Sequence, residues 1–135
     1  MVNVTTEAEL LAAIEMGTSY IEYIVLKNDI TIDGGNGATE SAFTISGVTG
    51  LTIDGAGYTL GFSSASSTNG RIFYIDSASE VEVVDLTLAN GYVYDTTASS
   101  TRSSLNSGGA IYIVGSSTLK MTGCTLSGNW ARSTG

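Results

Sequence analysis

The feature that most constrains this chain is an apolar pattern that recurs four times with the same internal spacing, although the recurrences lie at unequal distances. Each recurrence has a first apolar residue, a second six positions later, a third two further on, and a small or apolar residue three beyond that. Self-similarity of this kind indicates stacked repeats, each of which completes the buried face of its neighbour. The aligned sets are Ile24, Ile45, Ile75 and Ile113; Ile30, Leu51, Val81 and Leu119; Ile32, Ile53, Val83 and Met121; and Gly35, Ala56, Leu86 and Cys124, which Tyr58, Leu88 and Leu126 follow in the last three repeats.

Parallel strands explain why the internal spacing is fixed while the distance between recurrences varies. Strands of successive repeats pair about 4.8 Å apart, so equivalent residues stack and the inward positions stay apolar. Connections project from the turns and are free to differ in length. Segments 61–70 and 92–108 are rich in Ser, Thr and Gly and are predicted to be inserted loops. The pattern therefore predicts an all-β solenoid of about four coils rather than a sandwich.

One segment, Thr6 to Met16, has helical periodicity. Thr6 is a suitable N-cap, Glu7 and Glu9 place negative charge at the positive end of the helix dipole, and Gly17 provides a stop. We expect this helix to close one end of the solenoid, although an ordinary surface helix packed on a sheet fits the same pattern. The predicted apolar stripe consists of Leu10, Leu11, Ala13 and Ile14.

Charge and residue usage exclude several classes of function. The net charge of −8, with only five Lys and Arg, argues against binding to nucleic acid or to an anionic membrane surface. No apolar run approaches the length that spans a bilayer, and the opening MVNVTTEAELL is not expected to be a signal peptide. A single cysteine and no histidine exclude an intrachain disulfide, a Cys/His zinc cluster and a His-based triad or dyad. Cys124 is predicted to be a small core residue.

The motif TIDG occurs twice, ending at Gly34 and at Gly55. Asp33 and Asp54 could be metal ligands, but Asp followed by Gly is also a common way to end a strand. The aspartate bonds to downstream backbone, and the glycine adopts positive φ. We interpret both motifs as turns, and the sequence predicts no metal site and no cofactor.

Three stretches resemble known right-handed β-helices. FTISGVTGLTIDGAGYTL (43–60) is similar to early coils of the pectate-lyase-like superfamily. GGAIYIVGSSTLKMTGCTLSGNWA (108–131) resembles a repeat of bacterial surface β-helix proteins, including polymorphic outer-membrane proteins and adhesin-like proteins. The opening, TEAELLAAI followed by IVLKNDITI, is similar to the helix and first coil common to the superfamily. The resemblance implies one right-handed parallel β-helix domain over 1–135. Residues 1–20 would form an N-terminal strand and capping helix, and 21–131 the coils. It implies less about function, because this scaffold carries lyases, hydrolases, tailspikes and adhesins.

Pectate-lyase-type activity, as the resemblance implies it, uses clustered aspartates that hold Ca²⁺ and an Arg or Lys base on adjacent coils. Asp33 and Asp54 could stack, but Val84 and Thr122 occupy the equivalent positions of the later coils. Glycoside hydrolysis requires two facing carboxylates, and the pattern places no such pair on one face. We therefore predict no catalytic residue; the three arginines, Arg71, Arg102 and Arg132, are expected in loops or at the end of the chain.

Aromatic residues are the better candidates for a binding surface. Tyr23, Tyr74 and Tyr112 each precede an aligned isoleucine, so strand alternation points them outward, with Thr44 in the remaining coil. Such a row can stack against sugar rings or can merely support cross-strand packing. The same alternation pairs Glu82 with Lys120. The predicted ligand-binding residues are Tyr23, Tyr74, Tyr112, Tyr92, Tyr94 and Trp130.

Nothing after Ala131 resembles a cap, so the last coil is expected to present an open end to further coils or to another copy. The sequence thus favours a non-catalytic surface or secreted module for adhesion, carbohydrate contact or extracellular scaffolding. Its expected partner is a polysaccharide or a cell-surface glycan. Two alternatives stay open: an N-terminal fragment of a polysaccharide lyase or hydrolase, and a fibre subunit that stacks end to end.

Overall fold

The structure of the protein, a computed structural model, describes residues 1–16, 22–33, 40–95 and 108–133. In this part of the chain most residues lie in short strands, with one short helix, as expected of the all-β class. The elements are β1 (Val2–Val4), α1 (Glu7–Met16), β2 (Tyr23–Leu26), β3 (Ile30–Thr31), β4 (Ser41–Ser46), β5 (Thr49–Asp54), β6 (Thr59–Gly61), β7 (Arg71–Asp76), β8 (Glu80–Val84), β9 (Thr87–Ala89), β10 (Tyr92–Asp95), β11 (Ile111–Ile113), β12 (Thr118–Thr122), β13 (Thr125–Ser127) and β14 (Trp130–Ser133).

The strands form small parallel sheets to which the chain returns in a constant order. One sheet has the order β1-β2-β5-β8-β12, a second β4-β7-β11, a third β3-β6-β9-β13, and β10 pairs with β14 alone. The three strands β4, β5 and β6 lie in the second, first and third sheet respectively. The strands β7 to β9 visit the three sheets in the same order, and so do β11 to β13. This confirms the predicted stacking of the last three repeats. The aligned columns are Ile45, Ile75 and Ile113; Leu51, Val81 and Leu119; and Ile53, Val83 and Met121.

The predicted alignment of the first repeat is wrong. Ile24 pairs with Ile53 rather than Ile45, and Ile30 pairs with Leu60 rather than Leu51. The predicted partners and the observed partners are all apolar residues in strands whose side chains alternate between two faces. The spacing of apolar residues therefore fits both registers equally well. The predicted alignment of Tyr58 with Leu88 and Leu126 is also wrong. The turn after β5 is two residues longer than the turns after β8 and β12, so Leu60 pairs with Leu88, which in turn pairs with Leu126.

The core lies between the sheets and is lined by the inward residues of every repeat. Phe43 and Phe73 pack together there with ring centroids 5.6 Å apart and planes tilted by 39°, and both are almost completely buried. Helix α1 packs against β1 and β4 and adds Leu10, Ala13 and Ile14 to the core cluster. Leu11, predicted to belong to this stripe, is instead 38% exposed.

The start of α1 follows the prediction. The Thr6 hydroxyl accepts a hydrogen bond from the Glu9 amide at 3.1 Å, which is the N-cap interaction. The Glu9 carboxylate in turn accepts the Thr5 amide at 2.6 Å, and both bonds use donors that the helix cannot itself satisfy. Gly17, the predicted stop, lies outside the described residues.

The second TIDG motif is a turn, but its glycine acts differently from the prediction. Asp54 Oδ1 accepts a hydrogen bond from the Ala56 amide at 2.8 Å, as an Asx-type turn requires. Positive φ occurs at Ala56 (49°) and Gly57 (85°), not at Gly55. Gly55 is needed for space, because a Cβ there would lie 2.5 Å from the Asp85 carbonyl oxygen.

The two aspartates of the motifs do not stack, contrary to one reading of the sequence. Asp54 is paired with Val25 and Val84, whereas the Asp33 amide donates to the Glu7 carboxylate at 2.9 Å beside α1. The first repeat's register accounts for the difference, since β3 belongs to another sheet than β5. Gly34 and Gly35 lie outside the described residues.

Both predicted loops contain regular structure at their edges. Gly61 completes β6, and the segment predicted as a loop from residue 92 begins with the strand β10. Arg71 starts β7 and is only 4% exposed, and Arg132 lies in β14, so neither is a loop arginine. Short strands whose partners lie far away in the chain leave little local signal. Arg102 lies outside the described residues.

The strands β11, β12 and β13 each have a neighbour on one side only among the described residues. Ile113 and Leu126 on these strands are 40% and 57% exposed. The expectation that this edge receives further coils or another copy stays a prediction.

Candidate functional site

The predicted row of tyrosines is divided between sheets. Tyr23 pairs with Thr52 in the five-stranded sheet and donates its hydroxyl to Asp54 Oδ2 at 2.8 Å. This hydrogen bond raises the pKa of the Tyr23 hydroxyl, because ionisation would place negative charge against the Asp54 carboxylate. Tyr23 therefore does not extend the row of Tyr74 and Tyr112, and the misaligned first repeat is the reason.

Tyr74 and Tyr112 are neighbours, as the sequence predicts. They occupy paired positions of β7 and β11, and their rings stack with centroids 5.7 Å apart and planes inclined by 27°. Thr44 precedes them in the same row of β4. Both tyrosines are half-buried.

Arg71 stabilises this pair from one side. Its guanidinium carbon lies 5.8 Å from the Tyr74 ring centroid and 5.3 Å from that of Tyr112, and Nη1 donates to Ser41 Oγ at 3.2 Å. Burial lowers the pKa of Arg71, while the two tyrosines and Glu40 act in the opposite direction. Sequence reasoning missed this residue, because it follows a Ser- and Gly-rich segment that looks like the end of a loop.

A cavity of about 230 Å³ opens beside this group. It lies on the outer side of the β4-β7-β11 sheet, between the ends of β4 and β7. Its lining residues are Glu40, Ser41, Thr44, Arg71 and Tyr74.

A second aromatic group lies on β10 and β14. Tyr92 pairs with Trp130 across these strands, and the two rings stack with centroids 6.3 Å apart and planes inclined by 23°. Tyr94 meets Tyr92 edge to face at 6.5 Å. Trp130 is 55% exposed, so one large apolar surface faces solvent. The structure thus brings two predicted residues of one strand, Tyr92 and Tyr94, together with Trp130, which lies far from them in the sequence.

Arg132 adds a positive charge to this second group. Its Nη1 donates to the Tyr92 hydroxyl at 3.3 Å, and its guanidinium carbon lies 5.8 Å from the Tyr94 ring centroid. The hydrogen bond raises the pKa of Arg132, which keeps its positive charge. We call Tyr92, Tyr94, Trp130 and Arg132 the aromatic platform.

The backbone holds the aromatic platform from two sides. Tyr92 exchanges both backbone hydrogen bonds with Gly70, at 2.8 and 2.9 Å, and pairs with Trp130 on its other side. The Asn129 side chain accepts the Gly91 amide at 2.8 Å and donates to the Leu88 carbonyl at 2.9 Å. Gly109 passes so close that a Cβ there would lie 2.3 Å from the Trp130 carbonyl oxygen. These contacts fix both aromatic strands relative to the sheets.

A comparison with protein families matches residues 1–121 to the family described as "Putative pectate lyase-like adhesive domain". The chain belongs to this family. A comparison with curated proteins finds no match, and a comparison with solved structures finds none.

The resemblance of this adhesive domain to pectate lyases implies a calcium site made of clustered aspartates. The residues present do not fit it. The structure brings no group of three His, Cys, Asp or Glu residues together as metal ligands anywhere in the ranges it describes. Asp54 ends β5, whereas Asp33 lies beyond the end of β3, a strand of another sheet.

The five-stranded sheet of this adhesive domain carries a shallow outer groove. Glu82 and Lys120 meet across it with oxygen and nitrogen 4.0 Å apart, which confirms their predicted pairing. The groove has a volume of about 430 Å³ and is lined by β5, β8 and β12. Because both side chains are exposed, the pair adds only about 0–1 kcal/mol to stability.

Cys124 is half-buried against the core cluster, with its thiol directed at the Val83 carbonyl at 3.3 Å. Among the helical residues that the structure describes, none belongs to a segment long and apolar enough to cross a membrane.

Proposed function

We propose that the chain is a non-catalytic adhesive module, secreted or held at a cell surface, that contacts carbohydrate through the aromatic platform. The observation that carries this proposal is the stack of Tyr92 on Trp130, which leaves the tryptophan 55% exposed. The family description supplies the adhesive role in general terms, and the platform supplies a surface on which such a role can act.

The chemistry of the platform suits a sugar. The apolar C–H face of a pyranose packs against an aromatic ring face, and Trp130 is supported from behind by Tyr92. Sugar hydroxyls need hydrogen-bond partners at the rim of such a contact. The Tyr92 hydroxyl and the Arg132 guanidinium lie there.

We also propose that the repeats wind as a right-handed parallel β-helix. Support comes from the constant order in which the chain returns to its parallel sheets. Parallel strands joined by crossovers are right-handed in almost all proteins, because of the strands' own twist. In this arrangement the platform projects beside the coils rather than from within them.

The test is binding of the purified chain to soluble polysaccharides, measured by retardation in gels that contain galactomannan, xyloglucan or pectate. Trp130→Ala should weaken any retardation at least about tenfold, since an aromatic anchor in a contact is commonly worth 2 kcal/mol or more. Tyr58→Ala is the matched control, because Tyr58 is an exposed tyrosine (37%) on another part of the molecule. Circular dichroism of each variant checks that the fold is retained.

Two results would overturn the proposal. Retardation that Trp130→Ala leaves unchanged would remove the platform from the contact. New reducing ends or unsaturated products released from pectate would show turnover, and the module would then be a lyase or hydrolase.

A further inference from the structure

The cavity beside Arg71 is lined by hydrogen-bonding groups and one aromatic ring, as small-ligand sites commonly are. At about 230 Å³ it is smaller than the pockets that hold drug-sized ligands, and it has the scale of one sugar ring. Its donors are the Arg71 guanidinium and the hydroxyls of Ser41 and Thr44; its acceptor is the Glu40 carboxylate. The Tyr74 ring supplies an apolar wall.

The central donor is held in place before any ligand arrives. Arg71 is 96% shielded from solvent by the fold, as its 4% exposure shows, and its contacts with two tyrosine rings and with Ser41 fix the guanidinium. The Arg71 amide also donates to the Glu40 carbonyl at 2.8 Å, so the backbone sets the spacing of the arginine and the glutamate. Pre-organised groups lose little side-chain entropy on binding.

The charges of the cavity balance. The lining contains one guanidinium, that of Arg71, and one carboxylate, that of Glu40. The negative charge of Glu40 stabilises the positive charge of Arg71. A ligand that carries a carboxylate would gain from Arg71 but would be repelled by Glu40, and the net charge of −8 opposes any polyanion. A neutral polyol meets both groups: one hydroxyl donates to Glu40 while its neighbour accepts from Arg71.

We infer that this cavity binds one neutral pyranose unit, hydrogen-bonded between Glu40 and Arg71 and packed against Tyr74. The inference rests on the proposed function, because it takes a glycan to be what the module contacts. It adds a second binding site, apart from the aromatic platform, and a substrate class: neutral rather than uronic sugars.

The experiment follows amide resonances of the ¹⁵N-labelled chain during titration with methyl β-D-glucopyranoside and methyl β-D-galactopyranoside. Each is compared with its own uronate, which differs only in the C6 carboxylate. We expect shifts centred on Ser41, Thr44 and Tyr74 with at least one neutral glycoside, and binding of its uronate at least about fivefold weaker. Raising NaCl from 50 to 500 mM should leave the neutral affinity unchanged, since no net charge is neutralised.

The decisive variant is Glu40→Gln, which keeps the shape of the side chain and removes its charge. It should weaken binding of the neutral glycoside about tenfold, because the hydrogen bond to a charged carboxylate becomes a weaker bond to a neutral amide oxygen. Glu80→Gln, at an exposed carboxylate of β8, is the matched control and should have no effect. The Glu40 side chain is exposed, so the variant is expected to fold.

A uronate that binds as well as its neutral partner would overturn the inference, and so would an affinity that Glu40→Gln leaves unchanged. Absence of any shift with the glycosides would overturn it too. These outcomes are separable from failure of the proposed function, because polysaccharide retardation that depends on Trp130 would persist in each case. Conversely, loss of the Trp130 effect with an intact Glu40 effect would overturn the platform and leave the cavity standing.

Discussion

At the residue scale, the buried residue Ser79 joins three successive repeats through its hydroxyl and its backbone amide. Its hydroxyl accepts the Val48 amide at 3.1 Å and donates to the Asp76 carbonyl at 2.6 Å. Its own amide donates to Ser117 Oγ at 3.0 Å. Val48, Ser79 and Ser117 stand at equivalent places before β5, β8 and β12. The hydroxyl of Ser79 therefore ties its turn to the preceding repeat, and its backbone amide ties the same turn to the following repeat.

Replacement of Ser79 by alanine is expected to lower the free energy of unfolding by about 1–3 kcal/mol. The reason is that the buried Val48 amide loses its hydrogen-bond partner at a place that water does not reach, since Ser79 is 0% exposed, and the Asp76 carbonyl loses one of its donors. Urea unfolding followed by circular dichroism measures the change. Ser63→Ala, at an exposed serine, should stay within about 0.5 kcal/mol of wild type. Equal effects of the two substitutions would contradict the assigned role.

At the element scale, the first turn of α1 shows how one carboxylate can hold a helix to the preceding strand. Glu9 accepts hydrogen bonds from both the amide and the hydroxyl of Thr5, at 2.6 and 3.0 Å. The Thr5 amide is the larger cause of the lowered pKa of Glu9, and the Thr5 hydroxyl adds to it. The helix dipole favours the same ionised state.

This arrangement predicts a loss of stability in acid. A carboxyl whose pKa is lower in the folded chain than its ordinary value near 4.5 stabilises the fold above that value, and the contribution disappears as pH falls through the lowered pKa. Glu9→Gln should therefore be less stable than wild type at pH 7, and the difference should shrink as pH falls below 4.5 and through the lowered pKa of Glu9. Denaturant unfolding at a series of pH values measures it. Glu22→Gln is the control at another exposed glutamate, and a difference for Glu9→Gln that stays constant with pH would contradict the prediction.

The strand pairing can be predicted from the sequence for the repeats that contribute one strand to each of the three larger sheets. The helix cap at Thr6 and the columns through Ile45, Ile75 and Ile113 follow directly, because cap chemistry and period-two alternation are local signals. The first repeat does not, because it contributes β2 and β3 to two sheets and its apolar residues fit either register.

The candidate site follows from sequence in part for the same reason. Tyr74 and Tyr112 lie in complete repeats and were predicted to be neighbours, whereas Tyr23 inherited the error of the first repeat. Arg71 and Arg132 were missed, since their partners are aromatic rings from strands distant in the chain. A four-residue strand such as β10 is recognisable only once its neighbours Gly70 and Trp130 are in place.

At the scale of the whole molecule, stability is passed from repeat to repeat through parallel pairing. In stacked repeats each unit is stabilised mainly by its neighbours, so a unit with two neighbours opens less readily than a unit with one. Two equivalent amides allow a direct comparison. Glu80 donates to the Val48 carbonyl at 2.7 Å, and Thr118 donates to the Ser79 carbonyl at 2.8 Å.

Native-state hydrogen exchange should therefore distinguish these amides although their hydrogen bonds are of nearly equal length. The Glu80 amide, on the inner strand β8 with a neighbour on each side, is expected to exchange at least about tenfold more slowly than the Thr118 amide on β12, after correction for intrinsic rates. Equal protection in dilute solution would contradict this gradient and would show that the outer face of β12 is covered. Repeating the measurement at higher protein concentration would reveal whether a second copy covers it.

The connection from β6 to β7 separates what holds the molecule together from what it displays. Asn69 closes this connection by donating its side-chain amide to the Ser64 and Asn90 carbonyls, at 2.8 and 2.9 Å. Phe62 anchors the other end in the core. The residues between Phe62 and Asn69 belong to no strand, so strand pairing does not constrain which amino acids occupy these positions. We therefore expect that a foreign peptide grafted between Phe62 and Asn69 would leave the strand pairing on both sides of it intact.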